Sequence, residues 1–265
     1  MNEIVRLALA EDVGAGDVTT ESCVPAERRA RGRFLAREPL VLAGTDVLRQ
    51  LYSDLTLRKQ DGQACTDGEI IAEVSGPARL LLTQERVALN FLQRLSGVAT
   101  LARRFADAVA GTGCRVLDTR KTTPGLRALE KAAAAAGGVT NHRQGLYDAI
   151  LIKNNHIAAA GGVRAAIERT RAASALPIEI EVRTREELRE ALECGAAHLL
   201  LDNLTPAEAR LWIGEIGGRA KVELSGGITL ETVRAYAETG ADFVSAGAIT
   251  HSARALDISF RLELL

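Results

Sequence analysis

Two rhythms of apolar and polar positions divide the chain. From about residue 28 to 82, runs such as ARGRFLARE, PLVLAG and LTLRKQDGQACTDGEIIAEVSGPARLLL are punctuated by Asp-Gly and Ser-Gly-Pro. Strand-length runs between such turn signals predict antiparallel strands and hairpins. Residues 83–111 then place Val87, Leu89, Phe91, Leu92 and Leu95 in a broad stripe, which predicts a helix joining the two halves. Ser96-Gly97 within it marks either a break or a close packing contact.

From about residue 114 the rhythm becomes strand, loop, helix. The runs CRVLD, AILIK, IEIEV, HLLLD, KVELS and FVSAG are short and nearly continuous in apolar residues, as parallel strands covered on both faces are. The intervening helices have readable ends. Thr184 with Glu187, and Thr205 with Glu208, match the capping box; Pro206 suits a first helical position, and Gly195 and Gly240 suit helix exits. Six such units predict an α/β fold with a parallel sheet, and residues 136–148 leave room for more. A closed or slightly open βα barrel is favoured over a doubly wound sheet, because no G-x-G-x-x-G follows the first strand.

The composition of the 265 residues narrows the partners. With 33 basic against 34 acidic residues the net charge is −1, so no global field favours nucleic acid or a membrane surface, and any cationic site must be local. An aromatic content of 3% argues against base-stacking platforms. The four cysteines form no C-x-x-C pair and read as reduced packing thiols. No apolar run approaches the ~18 residues of a membrane span, and the acidic start MNEIVRLALAEDVGAGD is unlike a signal peptide, so a cytoplasmic location is expected.

The chemistry collects where the strands end. In βα barrels the loops after the strands carry the active site. Here those endings are Asp118-Thr119-Arg120-Lys121, Lys153, Glu181, Asp202, Ser225-Gly226-Gly227 and Ala246-Gly247-Ala248. Arg120, Lys121 and Lys153, joined by Asn141-His142-Arg143, make a cationic arc that a polyanionic ligand would relieve of repulsion. The bland reading pairs each cation with a local acid, Arg120 with Asp118 or Lys131 with Glu130. It suffices for Arg127 and Lys131 on a predicted helix, but poorly for Arg120 and Lys121. Glu181 and Asp202 form an acidic arc able to bind ribose hydroxyls, hold magnesium or stabilise developing positive charge. The two glycine-containing loops let backbone N–H groups approach a phosphate. A phosphoribosyl donor and a carboxylated acceptor fit this combination.

In this order the chain carries EDVGAGDVTTE, ERVALNFLQRLSGVAT, DTRKTTPGLRALEK, GGVTNHRQGLYDAILIKNNHI, IEIEV, LLLDN, ELSGGI and AGAITHS. Through these motifs it resembles the quinolinate phosphoribosyltransferases, or nicotinate-nucleotide pyrophosphorylases (carboxylating), from end to end. The resemblance implies an N-terminal α/β sandwich and dimerisation domain over 1–98. It also implies an open, about seven-stranded α/β barrel over 99–265, with the last ten or so residues packing back on the N-terminal domain. The implied reaction converts quinolinate and 5-phosphoribosyl 1-diphosphate, with Mg2+, into nicotinate mononucleotide, pyrophosphate and CO2 in de novo NAD synthesis.

Carried over by motif, Thr119, Arg120, Lys121, His142, Arg143 and Lys153 would form the pocket for quinolinate. Arg86 would enter it from the neighbouring subunit of a homodimer. Lys121, Lys153, Glu181 and Asp202 would be the catalytic set. Glu181 and Asp202 would hold the ribose and the magnesium-bound donor, while Ser225, Gly226, Gly227, Ala246, Gly247, Ala248 and His251 would cradle phosphate. The chain departs from many relatives at Asn154, where they have aspartate, and at Ala132–Ala136, where bacterial relatives read Tyr-Ala-Val-Arg. Two rival enzymes are a phosphoribosyltransferase for another small aromatic acid and a barrel aldolase using Lys153 as a Schiff-base nucleophile. A non-catalytic sensor of a phosphorylated metabolite is a third reading, and it predicts losses among the site residues that the sequence does not show.

Overall fold

The computed structural model describes residues 2–265. In chain order the elements are α1 (Glu3–Val13), α2 (Val18–Cys23), β1 (Arg29–Ala36), β2 (Leu40–Val41), α3 (Thr45–Leu51), β3 (Leu55–Leu57), β4 (Ala64–Cys65) and β5 (Ile70–Pro77). Next come α4 (Ala78–Ala108), β6 (Arg115–Leu117), α5 (Arg127–Ala136), β7 (Ile150–Ile152), α6 (Asn154–Ala160), α7 (Val163–Ala173) and β8 (Ile178–Val182). The chain finishes with α8 (Arg185–Glu193), β9 (His198–Asp202), α9 (Pro206–Ile216), β10 (Lys221–Ser225), α10 (Val233–Ala237), β11 (Phe243–Ser245), α11 (Ala248–His251) and β12 (Ile258–Leu264). These elements fall into two compact units, one of residues through 103 with 122–138 and 250–265, the other of 104–121 with 139–249. No helix among the described residues is long and apolar enough to cross a membrane.

In the first unit β12, β1, β5 and β3 form an antiparallel sheet in that order, so the last strand pairs with the first. Helix α3 is an element the turn-rich pattern concealed. Its first N–H groups are satisfied by Asp61, which accepts from Gly44 and Thr45 at 3.1 and 3.0 Å. Helix α4 starts directly after Pro77, ahead of the expected position 83, and runs unbroken through Ser96-Gly97. A Cβ at Gly97 would lie 1.9 Å from the Arg254 carbonyl oxygen, so this glycine is a contact point and not a break. Lys131 and Glu130 are both fully buried, and the Glu130 carboxylate is taken by Arg94 Nη2 at 2.7 Å and by Thr123 Oγ1 at 2.7 Å.

The second unit holds all six expected parallel strands, in the order β6-β11-β10-β9-β8-β7. Pairing of the first strand in sequence, β6, with the last, β11, is the connection a barrel requires. On the free edge of β6, Leu117 bridges in parallel to Thr140, so the stretch left open at 136–148 supplies a seventh neighbour. The seam of this open barrel lies between Thr140 and β7, where the Arg143 guanidinium donates to the Ala149 carbonyl at 3.3 Å. Alternation along each strand puts Val116, Ile180, Leu199, Leu201, Val222, Leu224 and Val244 on one buried face. The opposite face carries the polar residues Glu179, Glu181, His198, Asp202, Glu223 and Ser225.

Candidate active site

The loop after β6 and the loop around Asn141 are tied together by one buried carboxylate. Asp118 is fully buried and accepts from the His142 backbone N–H at 2.7 Å and from Asn141 Nδ2 at 2.6 Å. Its own N–H donates to the Thr140 carbonyl at 3.2 Å. The two halves of the cationic arc, 118–121 and 141–143, are therefore neighbours because an acid between them requires it. Thr119 shapes the turn by accepting the Lys121 N–H at 3.0 Å. Arg120 and Arg143 feel each other's charge. Burial first, and then Arg120, depress the Arg143 guanidinium below its ordinary value. Two guanidiniums on loops joined in this way suit an anionic ligand.

The next strand ends bring the acids in. Lys153 closes β7 and its Nζ lies 3.3 Å from Glu181 Oε2 at the end of β8. Arg183 binds the other oxygen of Glu181, with Nη2 at 2.9 Å and Nε at 3.1 Å. The acid that balances Lys153 is thus not a neighbour in sequence but lies 28 positions along the chain. Glu181 is 3% exposed, whereas the side chains of Lys153 and Arg183 are about half exposed, so the acid anchors and the two cations reach outward. Asn154 is the first residue of α6, and His156 Nδ1 accepts the Lys153 N–H at 2.9 Å.

Asp202 ends β9 and is oriented on both oxygens. Ser225 Oγ donates to Oδ1 at 2.7 Å and Asn203 Nδ2 donates to Oδ2 at 2.6 Å. Asn203 has φ +59°, the one non-glycine residue in the left-handed region among the described residues. Such backbone costs ~1 kcal/mol or more and persists where the surroundings demand it. Its N–H donates to the Ser225 carbonyl at 2.9 Å, and a Cβ on Gly226, itself at φ +96°, would meet Asn203 Oδ1 at 2.3 Å. The Ser225-Gly226-Gly227 loop must therefore be side-chain-free beside Asn203, which leaves backbone groups exposed for a ligand. Ala246 donates its N–H to the Leu117 carbonyl at 3.2 Å, so the 246–248 loop is fastened to the end of β6.

Arg86 is exposed on α4, and His251 is exposed at the end of α11; both belong to the first unit. His142 lies in the second unit but turns inward. Its Nδ1 accepts the Arg143 N–H at 2.7 Å and its Nε2 is 3.1 Å from Glu179 Oε2, so both ring nitrogens are engaged within the protein. Sequence reasoning missed Asp118 as an organiser, Arg183, Asn203, Glu179, His198 and Glu223. The signal for Asn203 was its type, since asparagine tolerates the left-handed region just after a strand. The signal for Glu179 was the alternation in IEIEV, which gives it the same face as Glu181.

Cations opposite carboxylates at the strand ends of an open α/β barrel, next to glycine loops, define an enzyme site for anionic, phosphorylated ligands. Comparison with known proteins makes this specific. Residues 17–96 match the family model described as quinolinate phosphoribosyl transferase, N-terminal domain, and residues 98–261 match its C-terminal domain. The chain belongs to the quinolinate phosphoribosyltransferase family. It is 43% identical over 272 residues to a probable nicotinate-nucleotide pyrophosphorylase (carboxylating) of Bacillus subtilis, covering 100% of this chain and 94% of that one. It is 41% identical to the nicotinate-nucleotide pyrophosphorylase (carboxylating) of Mycobacterium leprae, covering 98% and 96%. The crystal structure of NadC from Streptococcus pyogenes superposes with a TM-score of 0.93 at 38% identity, covering 99% of this chain and 96% of that one.

Proposed function

We infer that this chain is a quinolinate phosphoribosyltransferase: it joins quinolinate to the ribose of 5-phosphoribosyl 1-diphosphate and releases pyrophosphate and CO2, leaving nicotinate mononucleotide. The Asp118 tie between the loops of Arg120 and Arg143 is the observation that carries this reading, because two guanidiniums on joined loops suit two adjacent carboxylates on one ring. Lys121, next to Arg120, reaches toward the same ligand. Asp202, oriented by Ser225 and Asn203, suits ribose hydroxyls, and the backbone of Ser225 to Gly227 and of Ala246 to Ala248 suits phosphate.

The chemistry needs no nucleophilic side chain. The pyridine nitrogen forms its bond to the ribose carbon as the bond to diphosphate breaks, and the diphosphate leaves with the electron pair. Positive charge develops on the sugar, and the Glu181 and Asp202 carboxylates stabilise it electrostatically. Holding both reactants in line contributes several kcal/mol more. The quaternised nitrogen then accepts electron density as the adjacent carbon–carboxylate bond breaks, and the ring carbon takes up a proton. Lys153, anchored by Glu181, keeps a cation beside the carboxylate end of the ring. An ammonium held in an ion pair is a poor Schiff-base nucleophile, which disfavours the aldolase reading.

Magnesium would enter with the donor and offset the charge of the departing diphosphate. Asp202 suits a hard cation, since its partners Ser225 and Asn203 are neutral oxygen- and nitrogen-bearing groups. Glu181 suits one poorly, because both of its oxygens already face cations, Lys153 and Arg183, whose charge would repel a metal. The metal role is accordingly assigned to Asp202 with the donor's own oxygens. A homodimer in which Arg86 completes the neighbour's site is part of the proposal. CO2 and pyrophosphate release, measured side by side with quinolinate, nicotinate and nicotinamide, tests the reading. Turnover with quinolinate alone is expected, and equal turnover with nicotinate would refute it.

A further inference from the structure

Below the ring, on the same face of the strands, lies a second polar cluster that the reaction above does not use. Glu179 of β8 and Glu223 of β10 are 5% and 1% exposed. They face a cavity of about 410 Å3 whose polar lining includes Arg115, Asn141, His142 and His198. His142 Nε2 lies 3.1 Å from Glu179 Oε2 and 3.5 Å from Glu223 Oε2, and the three ligand-type atoms fall within 4.8 Å of one another. Glu179 Oε1 and Glu223 Oε2 are buried without a hydrogen-bond partner. Two carboxylates so close and so deeply buried are not both ionised unless a cation stands between them.

That cation is not a metal, and the histidine shows why. His142 Nδ1 accepts the backbone N–H of Arg143 at 2.7 Å, so the ring hydrogen is on Nε2 and points at Glu179. A metal at this position would need the Nε2 lone pair, and would require Nδ1 to donate where it here accepts. What remains is a proton. The groups that face Glu223 are Glu179 from β8, His142 from the 141–143 turn, and Ser245 from β11; His198 from β9 and Arg115 from β6 line the same cavity. Burial, and then the charge of Glu179, push the Glu223 carboxyl up to about 8. Burial works in the same direction on Glu179. There the hydrogen bond from His142 and the charge of His198 prevail, and hold it below its ordinary value.

We propose that Glu223 is a protonated acid lying against an ionised Glu179, and that this pair, by fixing the His142 imidazole in its Nε2–H form, positions Arg143 for the acceptor's carboxylate. The turn 141–143 is then gripped twice. Asp118 holds it through the His142 N–H and Asn141, and the acid pair holds it through the imidazole that receives the Arg143 N–H. Glu179 and Glu223 are positioning residues, and their effect on quinolinate rests on the function proposed above.

Two glutamine substitutions separate the roles. Glutamine mimics a protonated glutamate, so Glu223→Gln should keep the KM for quinolinate within about twofold at neutral pH. Glu179→Gln should raise that KM by tenfold or more while the KM for the phosphoribosyl donor and kcat change little. In the parent protein the KM for quinolinate should climb as the pH passes about 8, and this rise should vanish in Glu223→Gln. Equal damage from both substitutions, or an alkaline rise that persists in Glu223→Gln, would overturn the proposal. A measurement free of substrate keeps it separable from the function. Infrared difference spectra of the folded parent between pH 6.5 and 9.5 should show a protonated-carboxyl band that Glu223→Gln lacks. Absence of the band, or stoichiometric zinc binding that Glu223→Gln abolishes, would refute the proton assignment. A normal band in a protein inactive on quinolinate would refute the function alone.

Discussion

Replacing Glu181 by glutamine keeps the shape of the side chain and removes its charge at the junction of the cationic and acidic arcs. The carboxylate is 3% exposed and serves Lys153 through one oxygen and Arg183 through the other. Each such charge-assisted bond contributes ~1.5–3 kcal/mol when buried. The side chains of Lys153 and Arg183 are about half exposed, so water screens both cations, and the amide oxygen still accepts one of the two bonds. The net cost in stability is therefore small, ~1–2 kcal/mol, which lowers the melting temperature of a chain this size by roughly 2–6 °C. The cost in rate is larger. A preorganised group facing charge that develops in the transition state is worth ~10²–10³ in kcat. The assay is kcat for CO2 release at saturating substrates, read beside thermal unfolding. A Glu181→Gln protein that melts a few degrees lower yet retains kcat within about threefold would show that Glu181 only neutralises its two cations.

Other outcomes follow from single contacts. Gly97→Ala places a Cβ 1.9 Å from the Arg254 carbonyl and should destabilise by ~1–3 kcal/mol, whereas Gly214→Ala, in α9 with nothing within 4 Å, should stabilise by ~0.5–1 kcal/mol; urea midpoints compare them. Arg254 hydrogen bonds, with the Asp257 N–H, draw the Glu38 carboxyl down to about 2 from an ordinary 4.5. The stability this pair contributes should be complete above about pH 4.5 and fall away as the pH drops toward 2, and Arg254→Ala should flatten that part of the acid-unfolding curve. If Arg86 acts across a dimer, mixing inactive Arg86→Ala and Lys153→Ala proteins should restore about a quarter of the parental sites after subunit exchange. No recovery would place Arg86 in its own subunit's site or outside the chemistry.

The six parallel strands were legible because each is an apolar run closed by polar or glycine residues, and two of the helices that follow open on threonine caps formed by neighbours in sequence, Thr205 with Glu208 as a full capping box and Thr184 accepting the Glu187 N–H alone. Helix α3 was not, since its N-terminal N–H groups are satisfied by Asp61, sixteen positions from Thr45. The start of α4 was masked by Ala78 to Leu82, which read equally well as the end of a strand. The ring of site residues could be named from strand endings, but its wiring could not. Lys153 with Glu181, Ser225 with Asp202, and Asp118 with Asn141 and His142 are pairings between separate loops that only the folded sheet brings together. Glu179 and Glu223 were missed because charge inside a strand does not reveal that the face it marks is enclosed.

The claim that the strand-end ring is the catalytic centre is tested most directly by the turnover of quinolinate with 5-phosphoribosyl 1-diphosphate in Lys153→Ala, with the melting temperature measured on the same sample. Lys153 is half exposed at the end of β7, so its removal should leave the melting temperature within a few degrees of the parent. Turnover should fall below detection in that folded protein. A Lys153→Ala protein that converts quinolinate at near-parental rate would contradict the account.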